Sequence, residues 1–253
     1  MPRWVAGALQ RFVLAPGVVL AAGLLWFTAP IWLIAMAVAA SFVPAWLRPV
    51  RVLWLMALHL TLEAVALLEM LGLWIASGFG LAIRRPFFER IHYDIAQTYL
   101  WIVVREARRV LHLKIEMVGE KPDAFPGSPL LVFSRHAGPG DSFTLMYALM
   151  HWYHREPRVV LKDTLRWDPA LGILLGRLPS RFVGTPRPGE PGLEEKVGEL
   201  ARNLDENDAF LIFPEGGNFT PARRDRQIER LRKLGLHAMA ERAETMIHVL
   251  APR

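Results

Sequence analysis

The 253-residue chain contains no cysteine. This absence removes disulfides, thiolate zinc sites, iron–sulfur clusters and any thiol nucleophile. Lysine is scarce as well, with 5 Lys against 25 Arg. The first 85 residues have no Lys and no Asp, and carry only six Arg and two Glu. Between Phe12 and Trp46 no charge occurs in 35 residues, and the only hydroxyls are Thr28 and Ser41. The rest is ordinary: residues 86–253 hold 24 basic and 22 acidic side chains. The net charge of +6 therefore sits mostly beside apolar runs. That is the habit of cytoplasmic Arg in membrane proteins, so no nucleic-acid partner is expected. The length suits one domain, or one domain with an appendage.

As a single helix, the run from Phe12 to Trp46 would extend about 50 Å, against a hydrocarbon core of about 30 Å. Two short helices turning near Thr28, Ala29 and Pro30 fit better, because proline breaks a helix. Arg3 and Arg11 precede the run, and Arg48 and Arg51 follow it. Basic residues at both ends predict that both ends are cytoplasmic. The run then goes in and comes back, or forms a re-entrant hairpin. A cleaved signal peptide is the competing reading, with Ala37-Val38-Ala39 as its site, but the apolar stretch is too long for one. A second run covers Val52 to Ile83 and ends at Arg84-Arg85. Within it His59 and Glu63 share one helix face. The spacing predicts that this segment lies along the interface or against the soluble domain, with that face wet. Trp4, Trp46 and Trp54 near the run ends suit interface anchors. Residues 1–86 thus read as membrane-anchoring helices in the cell membrane, with the remainder on the cytoplasmic side.

Residues 87–110 have helical spacing and predict an amphipathic linking helix at the membrane surface. A catalytic domain is expected over 111–253. His112 to Val118 alternates as a strand, and Pro122 to Ser128 reads as a loop. Leu130 to Phe133 is wholly apolar, as in a parallel sheet covered on both faces. A helix over Ser142–Trp152 follows, then a strand at Val159–Leu161. Next come a helix over Pro169–Arg177, a short strand at Phe182–Val183 and helical spacing from Leu193 to Leu204. A strand at Ala209–Phe213 and one charged helix over Asp225–Met246 complete the pattern. In that last helix Ile228, Leu231 and Leu234 form the buried stripe. Alternating strands and helices predict an α/β fold with a mostly parallel sheet flanked by helices.

Two loops at carboxyl ends of expected strands stand out, where open α/β sheets bind ligands. The first runs from Ser134 to Asp141. Gly138-Pro139-Gly140 bends the chain, and so could return the Asp141 carboxylate to the His136 imidazole. Such a pair is a general base with its orienting partner. The plainer reading makes Asp141 the N-cap of the helix that begins at Ser142, and the two readings are compatible. The second loop is Phe213-Pro214-Glu215-Gly216-Gly217-Asn218-Phe219-Thr220. Glu followed by two glycines suits a backbone that comes close to a ligand. Arg223, Arg224 and Arg226 then open a helix and could hold an anion, or form a solvated charged face.

His136-x4-Asp141, followed some 75 residues on by Phe213-Pro214-Glu215-Gly216, resembles the first and third motif blocks of the glycerolipid acyltransferase superfamily. This is the 1-acylglycerol-3-phosphate or lysophospholipid acyltransferase group. Lys162-Asp163 and the Pro169/Gly172 pair resemble the segment before the second block. The resemblance implies acyl transfer from acyl-CoA or acyl-carrier protein to a lipid hydroxyl, in phospholipid biosynthesis. His136 would be the base and Asp141 its orienter. Lys162, Glu215, Gly216 and Gly217 would bind substrate. No cofactor or metal is implied beyond the acyl donor as co-substrate, and the partners are membrane lipids. The family's Thr-Arg after Glu-Gly is replaced by Gly217-Asn218, so Arg223 or Arg224 would substitute as the phosphate ligand. His248 to Arg253 resembles the start of the fourth block, so the domain is expected to be incomplete at its C-terminus. Two other classes are compatible with the residues. One is a catalytically inactive, membrane-anchored lipid-binding protein. The other is a metal-dependent phosphohydrolase with His136, Asp141 and Glu215 as ligands.

Overall fold

The structure is a computed structural model that describes residues 7–40, 47–116, 118, 126–135, 140–184, 193–214 and 219–246. The chain divides into two units that interleave along the sequence. The first comprises residues 1–121 and 161–197, and the second residues 122–160 and 198–253.

The first unit is mostly helical, because its sequence carries long apolar runs. Helix α1 (Gly7–Phe27) contains a π-helical turn at Gln10–Leu14. It stops at Thr28, and α2 (Ala29–Ala40) follows at once. The Thr28 hydroxyl donates to the carbonyls of Leu24 and Leu25 at 2.8 and 3.2 Å, and Pro30 has no N–H with which to continue the ladder. The break is where the sequence places it, but the two helices are unequal. Gly7–Phe27, with 21 residues, is long and apolar enough to cross a membrane, whereas the apolar part of α2 is only Ala29–Val38. The second run forms α3 (Leu47–Ala76), which also contains a stretch long enough to cross, Val50–Ala76. Helix α4 (Pro86–Leu111) opens with proline at its first position and ends at His112, whose φ of 52° is left-handed. The strand expected over His112–Val118 is absent from the described residues of that stretch. The left-handed residue ends the helix.

A short 3₁₀ turn (Asp163–Trp167) and helix α6 (Pro169–Arg177) belong to this same unit, and α6 packs on α1, α3 and α4. The buried Gln10 side chain donates to the carbonyls of Arg166 and Asp168 at 2.7 and 3.1 Å. Arg177 donates to the Met70 carbonyl at 2.8 Å, and its guanidinium lies 3.1 Å from His92 Nε2. His92 Nδ1 donates to the Phe88 carbonyl at 2.6 Å. That bond leaves Nε2 as the acceptor for Arg177, so the ring is neutral.

The second unit holds most of the parallel sheet. Its strands are β1 (Leu130–Phe133), β2 (Glu156–Lys162) and β4 (Asp208–Ile212). With β3 (Ser180–Val183) the strand order is β1-β4-β2-β3, and β2 itself runs from the second unit into the first after Val160. β4 pairs in parallel with β1 and with β2. It is buried along almost its whole length, as a central parallel strand should be. β1 departs from expectation. Leu131 and Phe133, on one face of the strand, are 57% and 64% exposed, so that face is not covered among the described residues. Helix α5 (Asp141–His151) follows β1, and α7 (Leu193–Leu200) precedes β4.

The two central strands, β2 and β4, are pinned together by charge. Arg158 grips the buried Asp208 carboxylate bidentately, at 2.7 and 2.6 Å, and also donates to the carbonyls of Arg202 and Asn203. A bidentate fork is the geometry that makes a buried pair tolerable. Beyond β4, the single long helix expected over Asp225–Met246 is instead two helices, α8 (Pro221–Lys233) and α9 (His237–Thr245). Gly235, at φ 74°, turns the chain between them, a conformation that only glycine adopts at little cost. The turn leaves Leu234 62% exposed, so it is not part of the stripe. Ile228, Ala240 and Ala243 form the small core, with Leu231 packed against it.

Candidate functional site

Both motif loops leave the second unit's sheet at the same end. In the parallel ladder Leu130 pairs with Ala209 and Phe133 with Ile212. One further bond, Ser134 N–H to the Ile212 carbonyl at 3.1 Å, holds the chain just past β1. Parallel neighbours lie about 4.8 Å apart. His136 comes two residues after Ser134, and Glu215 three residues after Ile212. His136, Glu215, Gly216 and Gly217 themselves lie outside the described residues. What is described is the pair of strand ends from which they depart, side by side.

Asp141 is the first residue of α5 and is half-buried. The cap position belongs to Gly140, whose carbonyl accepts from the Thr144 amide and hydroxyl at 3.0 and 3.1 Å. The expected Asp141 N-cap is thus displaced by one residue. The carboxylate still sits in the first turn, where the helix dipole favours negative charge. Lys162 closes β2, is exposed and groups with the first unit.

The two arginines nominated for phosphate part company. Arg224 donates from Nε to the Met246 carbonyl at 2.8 Å and from Nη2 to the Glu244 carbonyl at 2.7 Å. Its remaining Nη1 lies 3.4 Å from Asp225. Two of its three nitrogens therefore serve the end of α9, where helix carbonyls lack partners. Arg223 faces elsewhere. With Arg226, Gln227 and Arg230 it lines a concavity of about 430 Å³. Sequence reasoning missed Gln227 and Arg230. The signal for them was the helical spacing of 223, 226, 227 and 230, hidden inside what read as a generic charged stretch.

In the first unit, His59 and Glu63 meet as their spacing predicts, at 3.5 Å. Their face is not left to solvent alone. His59 Nδ1 lies 2.7 Å from the Tyr99 hydroxyl on α4, and Glu63 is buried. Tyr99 is held well above the usual phenol range, first by burial and then by the nearby Glu63 and Asp168 carboxylates. Asp168 also caps α6, accepting from Leu171 N–H at 2.9 Å. Nearby, burial lowers the His92 pKa, and the Arg177 charge lowers it further. Burial pushes Arg177 down to about 10, with Arg11 adding repulsion.

Among the described residues, no group of three or more His, Asp and Glu side chains converges on a metal-sized space. Two ligands of the metal-dependent alternative, His136 and Glu215, lie outside those residues. A family model described as Acyltransferase matches residues 114–251, more than half of the chain. No curated protein and no solved structure matches the chain.

Proposed function

Because the chain belongs to the acyltransferase family, within the glycerolipid acyltransferase superfamily, we propose that it is a membrane-bound O-acyltransferase. It moves a fatty acyl group from acyl-CoA or acyl-carrier protein to the hydroxyl of a lysophospholipid or a glycerol phosphate-type acceptor. The observation that carries this reading is the parallel pairing of Phe133 with Ile212, which starts the His136 and Glu215 loops side by side.

In this reading His136 takes the proton from the acceptor hydroxyl as the oxygen attacks the thioester carbonyl. Asp141 fixes the imidazole tautomer and stabilises the imidazolium. The tetrahedral intermediate collapses, the C–S bond breaks, and His136 returns its proton to the leaving thiolate. Acyl donor and acceptor become ester and free thiol, and no acyl-enzyme forms. A chain without cysteine suits direct transfer. Glu215, Gly216 and Gly217 bind the acceptor, and Lys162 contributes to substrate binding.

Two helices long and apolar enough to cross a membrane support membrane attachment. The Arg residues that flank the apolar runs support a cytoplasmic catalytic side. The test is thiol release from acyl-CoA by membranes containing the protein, over a panel of lysophospholipids and glycerol phosphate. Release that requires an acceptor and His136 is expected. Absence of release with every acceptor, from either acyl donor, would overturn the proposal.

A further inference from the structure

Helices α3 and α4 pack on each other, and the start of one meets the end of the other. The Arg51 guanidinium of α3 lies 3.3 Å from His112 Nε2, just past α4. The Trp54 N–H donates to Glu106 at 3.4 Å. Along α4 the exposed residues include 87, 90, 94, 98, 101, 105 and 108, and steps of three and four put these on one helix face. Towards the C-terminal end that face consists of Trp101, Arg105 and Arg108. The Arg105 guanidinium lies 4.9 Å over the Trp101 ring, a cation–π pair. Neither Arg105 nor Arg108 has an ion pair among the described residues, because Glu106 is taken up by Arg109 and Trp54. The helix dipole accounts for the cations of the last turn, Arg108 and Arg109. It does not account for Arg105 a turn earlier, or for Arg51 on the neighbouring helix. Nor does it account for two tryptophans, Trp54 and Trp101, left 39% and 41% exposed among these arginines. Next to Arg51 and Trp54, the exposed Val52 and Met56 lead into the apolar stretch Val50–Ala76.

We propose that Trp101, Arg105 and Arg108 of α4, with Arg51 and Trp54 of α3, form a docking surface for anionic phospholipid headgroups. Indole rings settle at headgroup level, with the ring body towards the acyl chains and the N–H in the wet zone. The guanidinium groups then meet the negative surface potential of the leaflet. A zwitterionic headgroup carries its own cation and offers these arginines no net charge. The surface presupposes the membrane-bound reading and gives the lipid its charge class. Acyl transfer itself does not enter.

Because the chain has no cysteine, Leu111→Cys places a single fluorescent label at an exposed position at the end of α4. The full labelled chain is reconstituted into vesicles of phosphatidylcholine alone, and of phosphatidylcholine with phosphatidylglycerol. Both carry a nitroxide quencher on the headgroup, so quenching reads the ratio of docked to undocked surface. Each arginine near an anionic surface contributes about fivefold to that ratio. Arg105→Gln/Arg108→Gln is therefore expected to lower it about 25-fold in the anionic vesicles. In phosphatidylcholine alone, parent and variant should quench weakly and alike. Arg105→Lys/Arg108→Lys keeps the charge and should quench like the parent. High salt should release the label in the parent, an arm that needs no further substitution. Both pairs change exposed side chains, and circular dichroism checks that the fold is retained. Strong quenching of the parent in phosphatidylcholine alone would overturn the surface. So would equal quenching of parent and Gln pair in anionic vesicles, a Lys pair as weak as the Gln pair, or quenching that salt leaves unchanged. Attachment is read separately, by flotation. A chain that floats with both kinds of vesicle but is not quenched refutes this surface alone. One that floats with neither refutes the membrane-bound reading, and the surface with it.

Discussion

Phe133 and Ile212 are register partners at the ends of two parallel, hydrogen-bonded strands. Their sequence separation is large, yet each is followed three residues later by a residue of the proposed site, His136 and Glu215. Parallel pairing places like ends together, so two loops distant in sequence start side by side.

Replacement of His136 by Ala is expected to lower acyl transfer by about 10²–10⁴, the usual loss for a general base. The residue follows a strand end in the sequence, and thermal unfolding is expected to be unchanged. Thiol release from acyl-CoA checks the first point and a melting curve the second. An H136A protein that turns over at near the normal rate sinks the assignment.

Arg224 behaves in the opposite way. Its guanidinium holds the Glu244 and Met246 carbonyls. Arg224→Ala should therefore destabilise the second unit by about 1.5–3 kcal/mol, the range for hydrogen bonds that involve a charged group. Neither KM should change. Denaturant unfolding next to a KM measurement separates the outcomes, and a rise in acceptor KM without loss of stability contradicts the staple.

Gly172 is a contact point. A Cβ there would collide with the Gln10 amide and the Arg166 carbonyl oxygen. The side chain could swing away, but the backbone oxygen cannot do so without displacing the turn. Gly172→Ala is expected to cost about 1–3 kcal/mol by overpacking, read as a lowered melting temperature. A G172A protein as stable as its parent would show that the close approach is dispensable.

Stability should depend on pH through His92. Its folded-state pKa lies below the ordinary value of 6.5, chiefly because of burial and also because of Arg177. The unfolded chain therefore binds the proton more readily. The neutral ring's contribution is full above pH 6.5 and is lost as pH falls through the lowered folded-state value. Melting temperature in detergent should fall on acidification below about pH 6.5. His92→Gln, which takes on no proton, should flatten that slope. An unchanged slope in H92Q would assign the acid sensitivity to other groups.

Tags at residue 1 and residue 253 should both resist an external protease in intact cells, because Arg residues flank both ends of the apolar runs. Cleavage of one tag alone would contradict the cytoplasmic placement.

Much of this was written in local sequence. The break at Thr28 follows from the Pro30 ring. Helices α4 and α6 fall within a residue or two of their expected limits, since helical spacing and an opening proline act over a few neighbours. The alternation of apolar strands with helices was enough for a parallel α/β sheet. What failed depended on distant partners or on one backbone angle. His112–Val118 alternates like a strand, but its described residues are not in one. β1 is apolar throughout, yet one of its faces, with Leu131 and Phe133, is exposed. Gly235 inside a periodic stretch is tolerated in principle, and only its positive φ shows that it divides α8 from α9. For the site, the sequence named His136, Asp141 and Glu215 by type and spacing, but not the register that brings their loops to one sheet end. Nor could it separate Arg223 from Arg224. The two are adjacent in the chain and chemically identical. Helix geometry turns one towards Arg226 and Arg230, while the packing of α9 claims the other, and that choice is made only when the two helices meet.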